Sequence, residues 1–140
     1  VSKLNLEWKR REGGDGRTKR DYLDIIVDDQ PLSEVIGGDV VSCLGWFVPE
    51  ENAKAVHRLL LEEVADLPNN RCSLYVCPEC GDLGCGAVSL AIEQTGDKVI
   101  WRDFGYENNY ESVVHTEGYK ELGPFIFDRS EYVRAIKKAL

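Results

Sequence analysis

The sequence predicts an α+β fold, mainly antiparallel, in which an N-terminal hairpin and a later meander pack with two helices. Three observations lead there. Apolar and polar residues alternate in several short runs, two other segments carry apolar residues at helical spacing, and the strand-like runs are joined by connections of hairpin length. With 140 residues, 43% hydrophobic and 30% charged, the chain has the size and balance of one globular domain covering residues 1–140.

Leu4, Leu6 and Trp8 alternate with polar residues and predict a half-buried strand. The glycine-rich, charged stretch from Arg10 to Arg20 reads as an exposed loop, and Asp21 to Asp28 resumes as a strand with Leu23, Ile25 and Val27 on one face. Gly37-Gly38 breaks the chain before a third candidate strand, Val40 to Val48. Pro49 opens a helix, where its missing N–H costs nothing, and Glu50 and Glu51 suit the positive end of the helix dipole. Ala53, Val56, Leu60 and Val64 form the apolar stripe of that helix, joined by Leu59 and Leu61; Pro68-Asn69-Asn70 ends it. Three strands follow: Cys72 to Cys77, Ala87 to Glu93, and Val99 to Phe104, the last two joined by a turn around Gly96. Glu107 to Gly123 reads as the longest loop, and Phe125 and Phe127 as a short strand. Asp128 is placed to cap a last helix, with Glu131 at capping-box spacing; Tyr132, Val133, Ile136 and Ala139 face inward.

Charge is unevenly spread. The first 20 residues carry +4 and the remaining 120 carry −12, giving −8 overall. A body of that sign repels nucleic acid and anionic lipid and attracts basic partners. The wholly apolar runs are too short for a transmembrane helix, and the polar, basic start has no apolar h-region, so the expected location is the cytoplasm. Five cysteines, an odd number, make a disulfide framework improbable there.

Cys77-Pro78-Glu79-Cys80-Gly81 matches the first half of a zinc knuckle, and Cys85 adds a third sulfur to the same loop. A closed zinc site needs four ligands. The second pair is missing; Cys72 falls on the opposite face of its strand from Cys77, and nothing in the spacing of His115 selects it. A redox Cys-x-x-Cys would open a helix, whereas this one lies between strands. The leading reading is a tight turn in which Gly81, Gly84 and Gly86 supply positive φ, so no metal and no cofactor is assigned. His57 sits beside the apolar stripe of its helix and His115 in the long loop, neither with a partner at useful spacing. No catalytic residue is assigned, and the chain is expected not to be an enzyme.

Cys80-Gly81-Asp82-Leu83-Gly84-Cys85-Gly86-Ala87, Trp101-Arg102-Asp103-Phe104-Gly105-Tyr106-Glu107-Asn108 and Gly123-Pro124-Phe125-Ile126-Phe127-Asp128-Arg129 form a signature over the C-terminal half. In it the chain resembles a largely uncharacterised family of small bacterial proteins, some of which carry an oxidoreductase label. In the family pattern Gly-x-x-Gly-Cys recurs and the first Cys-x-x-Cys varies, which implies that Cys77 and Cys80 are not a fixed metal pair. The label finds no support in the residues: no Gly-x-Gly-x-x-Gly follows a strand. In size, charge and architecture the chain is similar to immunity proteins of bacterial contact-dependent growth-inhibition systems. That resemblance implies a non-catalytic acidic inhibitor that neutralises a basic toxin domain, commonly a nuclease; the alternative is a small structural zinc-binding module with another protein partner. The segment Asp103 to Glu121, at −4, is the expected partner surface, with Asp103, Tyr106, Glu107, Tyr110 and Glu111 as its contact residues.

Overall fold

The computed structural model describes residues 1–80 and 85–140. An antiparallel hairpin opens the chain, β1 (Leu4–Arg11) against β2 (Arg20–Val27), with Leu4 opposite Val27 and Arg11 opposite Arg20. A short strand β3 (Gln30–Pro31) folds back on β2 and leads into α1 (Leu32–Ile36), a one-turn helix the sequence pattern does not announce. The second sheet runs in chain order: β4 (Val41–Ser42), β5 (Arg71–Val76), β6 (Ala87–Thr95), β7 (Lys98–Glu107) and β8 (Phe125–Asp128). All its neighbours are antiparallel. With α2 (Pro49–Leu59) and α3 (Arg129–Lys137), the chain has the α+β architecture the sequence predicts, with three α-helices rather than two among the described residues. No helix is long and apolar enough to cross a membrane among the described residues.

Local chemistry explains most boundaries. Pro49 opens α2, and Asp128 caps α3 by accepting a hydrogen bond from the Glu131 amide at 3.2 Å. The helix expected to carry its stripe to Val64 ends at Leu59, with Leu60 still buried in the core. Leu61 adopts a φ of 62°, and the Leu61 and Glu62 amides bond back to the carbonyls of Arg58 and His57, a Schellman closure that leaves Val64 exposed. The strand expected over Val40 to Val48 shrinks to β4. Beyond it the chain leaves β5 for the other sheet: the Leu44 carbonyl accepts from the Leu23 amide at 3.0 Å, and Ser42 Oγ donates to the Leu23 carbonyl at 2.5 Å. Of the β1 alternation, Leu4 is buried and Leu6 partly so, while Trp8 is 67% exposed, because α3 lies against the Leu4–Asn5 end of the strand.

One hydrophobic cluster draws on both sheets and on α2 and α3, with Ile25, Leu44, Val56, Leu74, Trp101, Phe127 and Ile136 almost fully buried in it. Trp101 meets Phe127 and Tyr132 edge to face, and Trp101 Nε1 donates to the Tyr132 hydroxyl at 3.1 Å. That hydroxyl in turn donates to the Leu59 carbonyl at the end of α2, at 2.5 Å. The N-terminal segment ties the sheets at another point: the Ser2 amide donates to the Ile126 carbonyl at 2.7 Å, and Ser2 bridges Phe127 in parallel fashion.

Strand β2 is buried on both faces, every residue from Tyr22 to Val27 being inaccessible. At its centre lies Asp24, 1% exposed. Its Oδ1 accepts from the Tyr75 hydroxyl of β5 at 2.5 Å and from the Ile25 amide at 3.0 Å, and its Oδ2 accepts from Ser33 Oγ of α1 at 2.6 Å. Lys9 Nζ stands 3.9 Å from Oδ2. Burial, then the neighbouring Asp24 charge, pushes the Tyr75 hydroxyl well above its usual range, so it stays a donor. Tyr75→Phe removes a hydrogen bond to a buried charge and should cost about 1.5–3 kcal/mol of unfolding free energy in a urea titration. A loss within the scatter of surface substitutions would show that Ser33 and Lys9 suffice to hold the carboxylate.

Candidate partner surface and cysteine cluster

The five residues expected to meet a partner separate into two groups. Strand β7 runs on to Glu107, three residues past the sequence-based end, so Tyr106 pairs with Val88 and Glu107 with Ala87. Glu107 is therefore not a surface residue. It is 5% exposed, and its Oε2 accepts from Arg71 Nε at 3.0 Å and from Ser89 Oγ at 2.5 Å. Arg71 also donates to the Asp103 carbonyl at 2.6 Å, which pins the backbone where β7 bulges against β6. The expectation for Glu107 is corrected accordingly: its charge is spent inside against Arg71, and the exposed part of segment 103–121 carries −3 rather than −4.

Asp103 sits on the bulge with φ 55°, a conformation its short polar side chain tolerates, and is exposed beside Arg102. It borders a cleft of about 560 Å³ lined also by Phe104, Tyr119 and Lys120. Beyond β7 the chain returns on itself, since the Tyr106 and His115 backbones exchange two hydrogen bonds of 2.8 Å. Gly105 allows this return, because a Cβ there would stand 2.5 Å from Val114. The tip is ordered by Asn108, whose Oδ1 accepts from the amides of Tyr110 at 2.9 Å and Glu111 at 3.0 Å. Tyr110 projects from it, 82% exposed. Glu111 is exposed; its carboxyl is lowered first by a hydrogen bond from Asn108 and then by His115, whose Nε2 stands 3.1 Å away. Tyr106 is half-buried and covers the end of the cysteine loop, since a Cβ on Gly86 (φ +90°) would meet its hydroxyl at 2.1 Å.

That loop follows β5. Cys77 is half-buried, Cys80 and Cys85 are exposed, and the three sulfur atoms lie within 4.8 Å of one another. Cys80 and Cys85 are joined by a disulfide, a single short staple where the sequence led us to expect none. The positive φ expected at Gly86 is present, while Gly81 and Gly84 lie outside the described residues. Cys43 and Cys72 are buried in the core, which pushes their thiols up to about 12 and about 11. His115 lies apart from the sulfurs, with Glu111, and His57 pairs with Glu62 at the end of α2.

The hairpin clamps this loop from the other sheet. Arg20 Nε donates to the Pro78 carbonyl at 2.8 Å, and the Glu79 carboxylate accepts from the Thr18 amide at 3.0 Å and from Arg11 at 3.2 Å. Arg11, nearly buried, grips Asp39 with two further bonds of 2.9 and 2.7 Å. None of these partners is local, so reading the sequence missed the clamp. Counting back from the Gly96 turn sets Tyr106 opposite Ala87; the bulge between Ser89 and Ala91 moves it opposite Val88, so its place over Gly86 was not legible either.

Two outcomes are expected. Glu107→Ala leaves Arg71 buried without its counter-charge and should cost about 3–5 kcal/mol, against about 0.5 kcal/mol or less for Glu111→Ala, read from denaturant midpoints. The Glu79 carboxyl is pushed down to about 2, first by hydrogen bonds from Thr18 and then by Arg11. A depressed carboxyl stabilises fully above its ordinary value of 4.5 and loses that contribution as pH falls through the folded value. The Thr18 amide resonance should thus titrate near the lower value, and a transition at the ordinary one would show the clamp open in solution. Comparison with protein-family models, curated proteins and solved structures finds no match to this chain.

Proposed function

We propose that this protein is a non-catalytic, acidic inhibitor that binds a basic toxin domain, a nuclease of a contact-dependent growth-inhibition system, in the cytoplasm. The observation that carries the reading is Tyr110, 82% exposed on a loop whose backbone is already held by Asn108. A large aromatic side chain presented on an ordered support is the composition of a binding anchor, because little freedom is left to lose on docking. Asp103, Glu111, Glu117 and Glu121 are exposed on the same segment, and residues 21–140 carry −12. A nuclease cleft evolved to grip phosphates is basic, so such a surface draws it in and covers it.

The test begins with the neighbouring reading frame: if a large secreted protein is encoded immediately upstream, its C-terminal domain is the binding partner to use. Its association rate with this chain should fall as salt rises, by screening of the opposite charges. Asp103→Lys with Glu111→Lys changes the local charge by about +4 and should slow association further at low salt. Tyr110→Ala should speed dissociation, at a cost of about 1–3 kcal/mol. Absence of binding, or rates indifferent to salt and to these variants, would overturn the reading.

A further inference from the structure

We propose that Cys77, Cys80 and Cys85, when all three are reduced, bind one zinc ion through their thiolates, with the fourth position open to water. The missing second ligand pair weighs against a closed zinc site. The fold answers part of that objection by bringing the third sulfur to the first two. Sulfur atoms about 2.3 Å from zinc at tetrahedral angles stand about 3.8 Å apart. The Cys77 and Cys80 sulfurs are 3.8 Å apart, and all three fall within 4.8 Å. Three protein ligands with one open position is a recognised zinc arrangement.

The surroundings fit. Pro78 and Glu79, between the first two cysteines, are each fixed by the hairpin, at the Pro78 carbonyl and the Glu79 carboxylate. Anchored neighbours of this kind aim ligands without competing for the metal. The buried thiols of Cys43 and Cys72, held protonated, do not compete either. A cavity of about 310 Å³ is lined by Cys77, Cys85, Tyr106 and Tyr119 among others, and Cys80 and Cys85 are themselves exposed to solvent.

The Cys80–Cys85 disulfide is the oxidised form of the same cluster. A dithiol reductant supplies two electrons and two protons to that bond, giving two thiols and leaving the reductant as a disulfide. Zinc then displaces one proton from each of the three thiols. Oxidised protein retains only Cys77 as a free thiol in the loop and should not hold the ion.

The experiment is a titration of dithiol-reduced full-length protein with cobalt(II) under anaerobic conditions, followed by zinc. The expected result is one cobalt per chain with sulfur-to-cobalt charge-transfer absorption, displaced by an equivalent of zinc and absent from oxidised protein. Cys77→Ser, Cys80→Ser and Cys85→Ser should each weaken zinc binding by about tenfold or more. Cys80 and Cys85 are exposed and Cys77 is half-buried, and circular dichroism serves to check that each variant keeps the fold. Cys77→Ser is decisive, since it leaves both partners of the disulfide in place. A charge-transfer band that survives this substitution, or no band in reduced wild-type protein, would overturn the proposal and leave the loop as a disulfide staple.

Discussion

The structure turns on a carboxylate in its middle. Asp24 is carried into the interior by a strand with no exposed face beyond Asp21, and an unpaired charge there would be worth several kcal/mol against folding. It is tolerated because three separate elements deliver donors to it: Tyr75 from the five-stranded sheet, Ser33 from the short helix, and the Ile25 amide from its own strand. The Tyr75 and Ser33 hydroxyls reach Asp24 only if their elements are docked. The hydrogen-bond set therefore acts as a test of assembly, and apolar burial supplies the bulk of the driving force around it. Among the described residues, no buried side-chain nitrogen or oxygen is left without a partner.

A second buried ion pair shapes the candidate surface without belonging to it. Arg71 and Glu107 face one another across β5, β6 and β7, bridged by Ser89 on the middle strand. The Arg71 Nη2 that donates to Ser89 also donates to the Asp103 carbonyl, so the bulge that turns Asp103 outward is held from within. Acidic residues four positions apart consequently have opposite roles. Glu107 rigidifies the support, while Asp103 and Glu111 are free to face solvent.

How far the sequence could be read follows from the range of the interactions involved. Helix starts at Pro49 and after Asp128, and the hairpin around Gly96, depend on neighbours a few residues away, and they are legible as such. The fate of Glu107 depends on Arg71, 36 residues earlier, and no local pattern distinguishes it from Glu111. The clamp from Arg11 to Glu79 spans 68 residues and is equally silent. Strand Tyr22–Val27 shows its double burial only in its near-continuous apolar run, which the alternation of Leu23, Ile25 and Val27 disguises as half-buried. The three loop cysteines were visible at once, but their convergence depends on how two strands leave and re-enter the sheet.

The contact between Ser2 and the last strand has a bearing on self-association. In the five-stranded sheet, β8 is an outer strand, and an outer strand offers its free backbone groups to any other chain of suitable register. Here the Ser2 amide already occupies the Ile126 carbonyl, and its approach is parallel where the rest of the sheet is antiparallel. A second copy seeking to extend the sheet by edge-to-edge pairing would have to displace this segment first. Ser2 thus covers part of this edge, an obstacle independent of the acidic charge that keeps molecules apart at longer range.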